Sequence, residues 1–156
     1  MVTISYFRLI LLNILFFLIN TLLYCMDEFN IELKLQEALN LYKSNNIVIL
    51  DIRTANEWKT TGIIPKSILI SMHDENFLER KDFVKELKEV LSGKDDKSFA
   101  LICASGSRSK VVTDFLLKEG YKNISHIPDG ILGKQNDGWL FKGYPLLDYN
   151  NQKEKN

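Results

Sequence analysis

One short stretch gathers most of the reactive side chains. Residues 103–109 read CASGSRS and follow the apolar run Phe99, Ala100, Leu101 and Ile102. Ala104, Ser105, Gly106 and Ser107 have no bulky side chain to fill the concavity of a loop, and Gly106 accepts a positive φ that strains other residues. Successive backbone N–H groups in such a loop form an anion nest, and Arg108 adds a cation beside it. A free thiol titrates at about 8.5, and helix N-termini and neighbouring cations lower that value, which favours the thiolate. The predicted chemistry is nucleophilic attack by Cys103 on a group held in an anion cradle. A cysteine after an apolar strand is by itself ordinary core material. A core cysteine, however, does not require Gly, two serines and Arg at these spacings.

Two elements must position the loop. The run 99–102 reads as a strand buried on both faces, and Val112, Phe115 and Leu116 carry the helical spacing that begins at Ser109, a predicted N-cap. Cys103 then lies at the carboxyl end of a strand, where ligands bind in open α/β sheets, and the positive end of the helix points at it. Upstream, residues 47–50 form a second apolar strand ending in Asp51, with Arg53 two residues on. In a parallel sheet Asp51 shares an edge with Cys103. The pair 51/53 is expected to support the loop, although a strand-end ion pair or a contact with an anionic donor fits the same residues. Thr54 is a candidate cap for a short helix carrying Glu57, which can pair with Arg108 or face solvent.

The chain alternates throughout. Residues 31–43 are predicted as an amphipathic helix stopped by Ser44, Asn45 and Asn46, 68–70 as a short strand, and 77–91 as a helix ended by Ser92 and Gly93. After the helix to Glu119 and a turn at Gly120, residues 124–127 form a last strand. Pro128, Asp129 and Gly130 make a turn, and Trp139 to Leu147 packs back on the domain. Strands alternating with helices predict an α/β fold with an open parallel sheet and helices on both faces.

The CASGSRS loop resembles the CxxGxRS active-site loop of single-domain rhodaneses, sulfurtransferases that carry sulfane sulfur as a cysteine persulfide. Residues 47–54, IVILDIRT, followed by Glu57 and Trp58, are similar to that family's VxLDVRxxxEW element. Gly62 and Pro65 match parts of the GHIPGAxNIP stretch, and residues 129–131 resemble its GGI. The resemblance spans roughly residues 31–147, and two blocks in the correct order about fifty residues apart are far more specific than either alone. Ile63 stands where the family commonly has His, Lys66 and Ser67 replace a Gly-Ala pair, and Gly133 and Lys134 stand where an aromatic is usual, with Trp139 a candidate to take over its packing. None of these departures touches the cysteine loop. Cysteine phosphatases on a related fold use a loop one residue longer, C-x5-R, whereas only four residues separate Cys103 from Arg108 here. Phosphatase activity is therefore the weaker expectation.

The resemblance implies a sulfurtransferase. Cys103 is the implied catalytic residue, 104–108 bind the substrate, and Asp51, Arg53, Glu57 and Ser109 support them. The implied partners are a small sulfur donor such as thiosulfate and a thiol or cyanide acceptor, with a protein acceptor as an alternative; no organic cofactor is implied. A non-catalytic rhodanese-like binding or sulfur-relay module is the alternative from another class.

Composition narrows the setting. The 156 residues are 46% hydrophobic, enough for one domain with a real core. Twenty basic and twenty acidic side chains balance, and Arg8 is the only charged residue among the first twenty-five, so no basic field for nucleic acid exists. His73 and His126 have no metal-ligand spacing around them and are read as structural; no metal is expected. Residues 9–23 are almost wholly apolar, and 1–25 are predicted to be a signal peptide or membrane anchor, followed by one domain over 26–149 and a disordered polar tail over 150–156. The protein is then exported, periplasmic or membrane-anchored, or cytoplasmic if translation begins at Met26. With Cys25 removed or held in a membrane, Cys103 has no resolving cysteine in the domain, which argues for an external sulfur acceptor.

Overall fold

The structure is a computed structural model that describes residues 31–150 together with Asn13 and Ile14. The predicted leader or anchor over 1–25, Cys25, and the tail from residue 151 onward lie outside the described residues. Among residues 31–150 eight elements follow one another: α1 (Leu35–Lys43), β1 (Val48–Asp51), α2 (Ala55–Thr61), β2 (Ile68–Leu69), α3 (Phe83–Leu91), β3 (Phe99–Ile102), α4 (Ser107–Lys118) and β4 (Ile124–His126). The four strands form one parallel sheet in the order β2-β1-β3-β4. Among the described residues no helix is long and apolar enough to cross a membrane.

Strand alternation splits the core between the two faces. Ile49, Ala100 and Ile102 point to one face, where Leu35, Ala38 and Leu39 of α1 and the buried Trp139 cover them. Leu50, Phe99, Leu101 and Cys103 point to the other, beneath Phe83, Leu87 and Leu91 of α3 and Val112 and Leu116 of α4. The open parallel α/β sheet with helices on both faces is thus as expected. Trp139 is fully buried, meets Tyr42 and Tyr144 edge to face, and its Nε1 donates to the Pro145 carbonyl at 3.1 Å.

Three expectations need correction. Residues 31–33 are not helical; the open edge of β4 takes them instead, through Leu33 N–H to the His126 carbonyl at 2.9 Å and His126 N–H to the Ile31 carbonyl at 2.8 Å. The helix predicted from Phe77 begins only at Phe83. Residues 72–80 fold back on themselves, with Asp74 Oδ1 accepting from the N–H groups of Asn76 and Leu78, His73 bridging to Glu79, and Phe77 held at φ +60°. The third concerns Ser109: α4 starts at Ser107, and its N-cap is Gly106 at φ +84°. A left-handed residue there turns the chain so sharply that serine falls inside the first turn.

Because Trp139 fills the centre of one face, Trp139→Ala is expected to cost about 3–5 kcal/mol, read as a lowered urea midpoint with an unchanged slope. A loss below about 1 kcal/mol would mean that this face collapses around the gap.

Candidate active site

Cys103 leaves β3 fully buried, one residue beyond the Asp51–Ile102 register pair that joins β1 to β3. The loop after it is shaped by what its carbonyls do. The Cys103 carbonyl accepts from Ile131 N–H at 2.9 Å, and the Ala104 carbonyl from Leu132 and Gly133 at 2.8 and 3.3 Å. The Gly106 carbonyl is held by Lys110 N–H and the Ser109 hydroxyl. In a planar trans peptide the N–H points opposite the C=O, so carbonyls drawn outward turn the following N–H groups to the other side of the loop. The N–H groups of Ala104, Ser105, Gly106, Ser107, Arg108 and Ser109 find no protein acceptor among the described residues. Together with the α4 N-terminus they form a cradle suited to an anion or a polarisable sulfur.

Two glycines make this packing feasible. A Cβ at Gly106 would lie 1.8 Å from the Pro128 carbonyl oxygen, and one at Gly130 would lie 2.6 Å from the Cys103 oxygen. The turn over 128–131 therefore clasps the loop backbone to backbone. This clasp was not assigned to the site from sequence, although Pro128, Asp129 and Gly130 marked a turn.

Ser109 is buried inside the first turn of α4, where its hydroxyl lies 3.6 Å from Cys103 Sγ and donates to the Gly106 carbonyl at 3.1 Å. Its place is beneath the thiol rather than at the helix cap. Arg108 does not stand free. Its Nη1 and Nη2 donate to the two oxygens of Glu57 at 2.9 and 2.6 Å, and the side chains are only 18% and 20% exposed. Glu57 is also the third residue of α2 and closes a capping box, accepting from Thr54 N–H at 2.8 Å while Thr54 Oγ1 accepts from Glu57 N–H. Burial pulls the Glu57 carboxyl upward, but the hydrogen bonds from Arg108 and Thr54 outweigh it and hold the group below the usual carboxylate range. Burial likewise works against the Arg108 charge, and Glu57 more than offsets it, with Cys103 and Asp51 adding smaller electrostatic support.

Asp51 and Arg53 are both buried and bind each other through Nε and Nη2, the shortest contact being 2.6 Å. The rest of the guanidinium goes to the Thr61 hydroxyl and, at 2.8 Å, to the Gly62 carbonyl. Neither side chain hydrogen-bonds the cysteine loop: the two form the strand-end ion pair that was one of the expected arrangements, and any support they give the loop is indirect. The pair secures the end of α2, and α2 carries Glu57 to Arg108. Thr61 and Gly62 were the partners missed; Gly62 was conspicuous in the sequence, but a lone threonine gave no signal. No group of three or more potential metal ligands exists among the described residues.

Comparison with known proteins gives the geometry a family. The model of the rhodanese-like domain matches residues 34–137, and the chain belongs to that family. A Rickettsia prowazekii (strain Madrid E) protein, RP600, is 32% identical over 111 residues, covering 67% of this chain and 86% of its own. The crystal structure of Rv0390 from M. tuberculosis superposes with a TM-score of 0.62 at 19% identity, covering 75% of this chain and 96% of that one. The thiosulfate sulfurtransferase from Pseudomonas aeruginosa gives 0.57 at 26% identity, covering 76% of this chain and 20% of the larger protein.

Removing one partner of the Asp51–Arg53 pair leaves a buried charge, so Asp51→Asn is expected to cost about 3–5 kcal/mol in urea unfolding. An effect under about 1 kcal/mol would show that the guanidinium escapes to water. The Glu57 pair carries a pH signature. Because its folded-state pKa is depressed, its stabilisation is complete above the unfolded value and is lost as pH falls through the folded one. The stability difference between the wild type and Glu57→Gln should thus shrink as pH drops below the ordinary value of 4.5. A difference that stays constant down to the acid limit would contradict the pairing.

Proposed function

We propose that the protein is a rhodanese-type sulfurtransferase. The Cys103 thiolate attacks the outer sulfur of a donor such as thiosulfate, the donor S–S bond breaks, and sulfite leaves with the electron pair. A thiol or cyanide then attacks the terminal sulfur of the Cys103 persulfide, and the thiolate is restored. The observation that carries this reading is the set of free N–H groups around Cys103, created by carbonyls turned to residues 131–133. They are suited to hold the incoming anion, the charge developing on the leaving group and the persulfide itself. Ser109 can rotate its hydroxyl from the Gly106 carbonyl to the sulfur once the thiol has ionised.

A phosphoryl group fits less well, because the loop to Arg108 is one residue shorter than C-x5-R and that arginine is engaged by Glu57. One observation favours a second reading, a non-catalytic binding or relay module: Cys103 exposes no surface. The intact loop argues for chemistry, with access to the sulfur requiring movement of its surroundings. Export or membrane attachment through residues 1–25 belongs to the proposed reading, with cytoplasmic residence if translation starts at Met26, and a protein thiol is an alternative acceptor.

The test is the intact mass of the protein after incubation with thiosulfate, alongside Cys103→Ser. The expected result is a gain of one sulfur atom that requires Cys103 and is removed by cyanide. A folded protein whose thiol gains no sulfur from this donor or any other sulfane compound supports the binding module instead.

A further inference from the structure

Charge at the site is more tightly balanced than the sequence suggests. Arg108 is gripped at both Nη atoms by Glu57, and Arg53 is closed on Asp51. Glu57 cannot swing aside freely, since the same Oε2 that meets Arg108 also takes the Thr54 N–H at the head of α2. The next cation along α4, Lys110, pairs with Asp114 at 2.9 Å. Two guanidinium charges are therefore matched by two carboxylates around Cys103, and ionisation of the thiol leaves a surplus of one negative charge. The loop N–H groups supply partial positive charge only. That suffices to seat one negative charge, while a second meets the thiolate with the Arg108 charge already neutralised by Glu57 and no unpaired cation among these groups to offset it.

Resting on the sulfur-transfer reading, we infer that Glu57, by holding Arg108, is a specificity-determining residue that selects sulfane-sulfur donors with a single negative charge over dianionic ones. Organic thiosulfonates and hydropersulfides are such donors. With a thiosulfonate, the Cys103 thiolate forms a bond to the outer sulfur, the S–S bond to the sulfonyl group breaks, and the sulfinate leaves with the electron pair. One thiolate and one thiosulfonate anion become one persulfide anion and one sulfinate anion. Thiosulfate undergoes the same exchange but enters as a dianion and leaves as sulfite. The reacting bond is equivalent in the two donors, and the charge differs by one.

The experiment compares rates of Cys103 sulfur loading by thiosulfate and by methanethiosulfonate, followed by intact mass, in wild type and Glu57→Gln. Glutamine keeps an acceptor for Thr54 N–H but removes the charge and frees Arg108. The ratio of thiosulfate to methanethiosulfonate loading should rise about tenfold in the variant, as expected for one charge acting across a partly buried site. A purely structural role for Glu57 would slow both donors alike and leave the ratio unchanged. In wild type alone, raising the ionic strength should also raise that ratio by screening the surplus negative charge; this reading stands even if the variant does not fold. An unchanged ratio in a folded variant, or a wild-type ratio that falls with salt, overturns the inference while leaving sulfur transfer intact. Failure of both donors to load Cys103 overturns the sulfur-transfer reading and the inference with it.

Discussion

Two charges buried at the end of β1 set the geometry of everything around the cysteine. Taking a carboxylate and a guanidinium out of water costs several kcal/mol per ion, and that cost is recovered only when the geometry is excellent and the remaining donors are satisfied. Asp51 and Arg53 meet this demand by facing each other through two nitrogens and two oxygens, with the outer guanidinium hydrogens taken by Thr61 and Gly62. The carboxyl end of β1 is thereby tied to the carboxyl end of α2. The helix between them has little freedom left, and its first turn delivers Glu57 to Arg108. A pair that never touches the thiol loop thus fixes the element that does. Leu147 reinforces the same corner by exchanging backbone hydrogen bonds with Ile63, and Tyr149 lies against Trp58.

The cradle itself depends less on side chains than on where carbonyls are sent. Residues 131–133 draw the Cys103 and Ala104 oxygens to one side, and peptide planarity does the rest. Any side chain at Gly130 or Gly106 would push the two backbones apart, so the absence of a Cβ is a condition of the hydrogen bonds that open the nest. The specificity of this loop lies in small residues and tight approach, which is why substitution by larger residues would alter the cradle even where no functional group is lost.

Much of this was legible in the chain because it is local. Apolar runs gave β1 and β3, Thr54 stood out as a cap for the short helix that carries Glu57, and the loop composition marked the site; that Glu57 closes the cap from its own side was not read from the chain. What the sequence hid is non-local. Residues 31–33 look like the start of an amphipathic helix, and only the unpaired edge of β4, far along the chain, draws them out into extended backbone. Phe77 and Leu78 extend an apolar pattern that α3 does not use, since Asp74 captures their turn first. Arg108 reads as a free cation beside a thiol; its bidentate partner lies 51 residues away and could be named only as one option.

Complete burial of Cys103 and the closure of both ion pairs point to the same physical trade. An exposed thiol beside an unpaired arginine would attract anions strongly, but water would compete for every hydrogen bond in the nest. Here the sulfur lies 3.6 Å from the Ser109 hydroxyl, and Cys103 belongs to the same buried cluster as Leu101 and Val112, in surroundings where each N–H counts for more because little solvent screens it. On the proposed reading, a persulfide formed there is shielded from bulk water and held by dipoles that need no reorganisation. The cost is weak long-range attraction for the donor. Recognition then rests on contact with the cradle at short range, where the shape and charge of the sulfur-bearing group decide, rather than on the field of the whole protein, whose acidic and basic side chains balance.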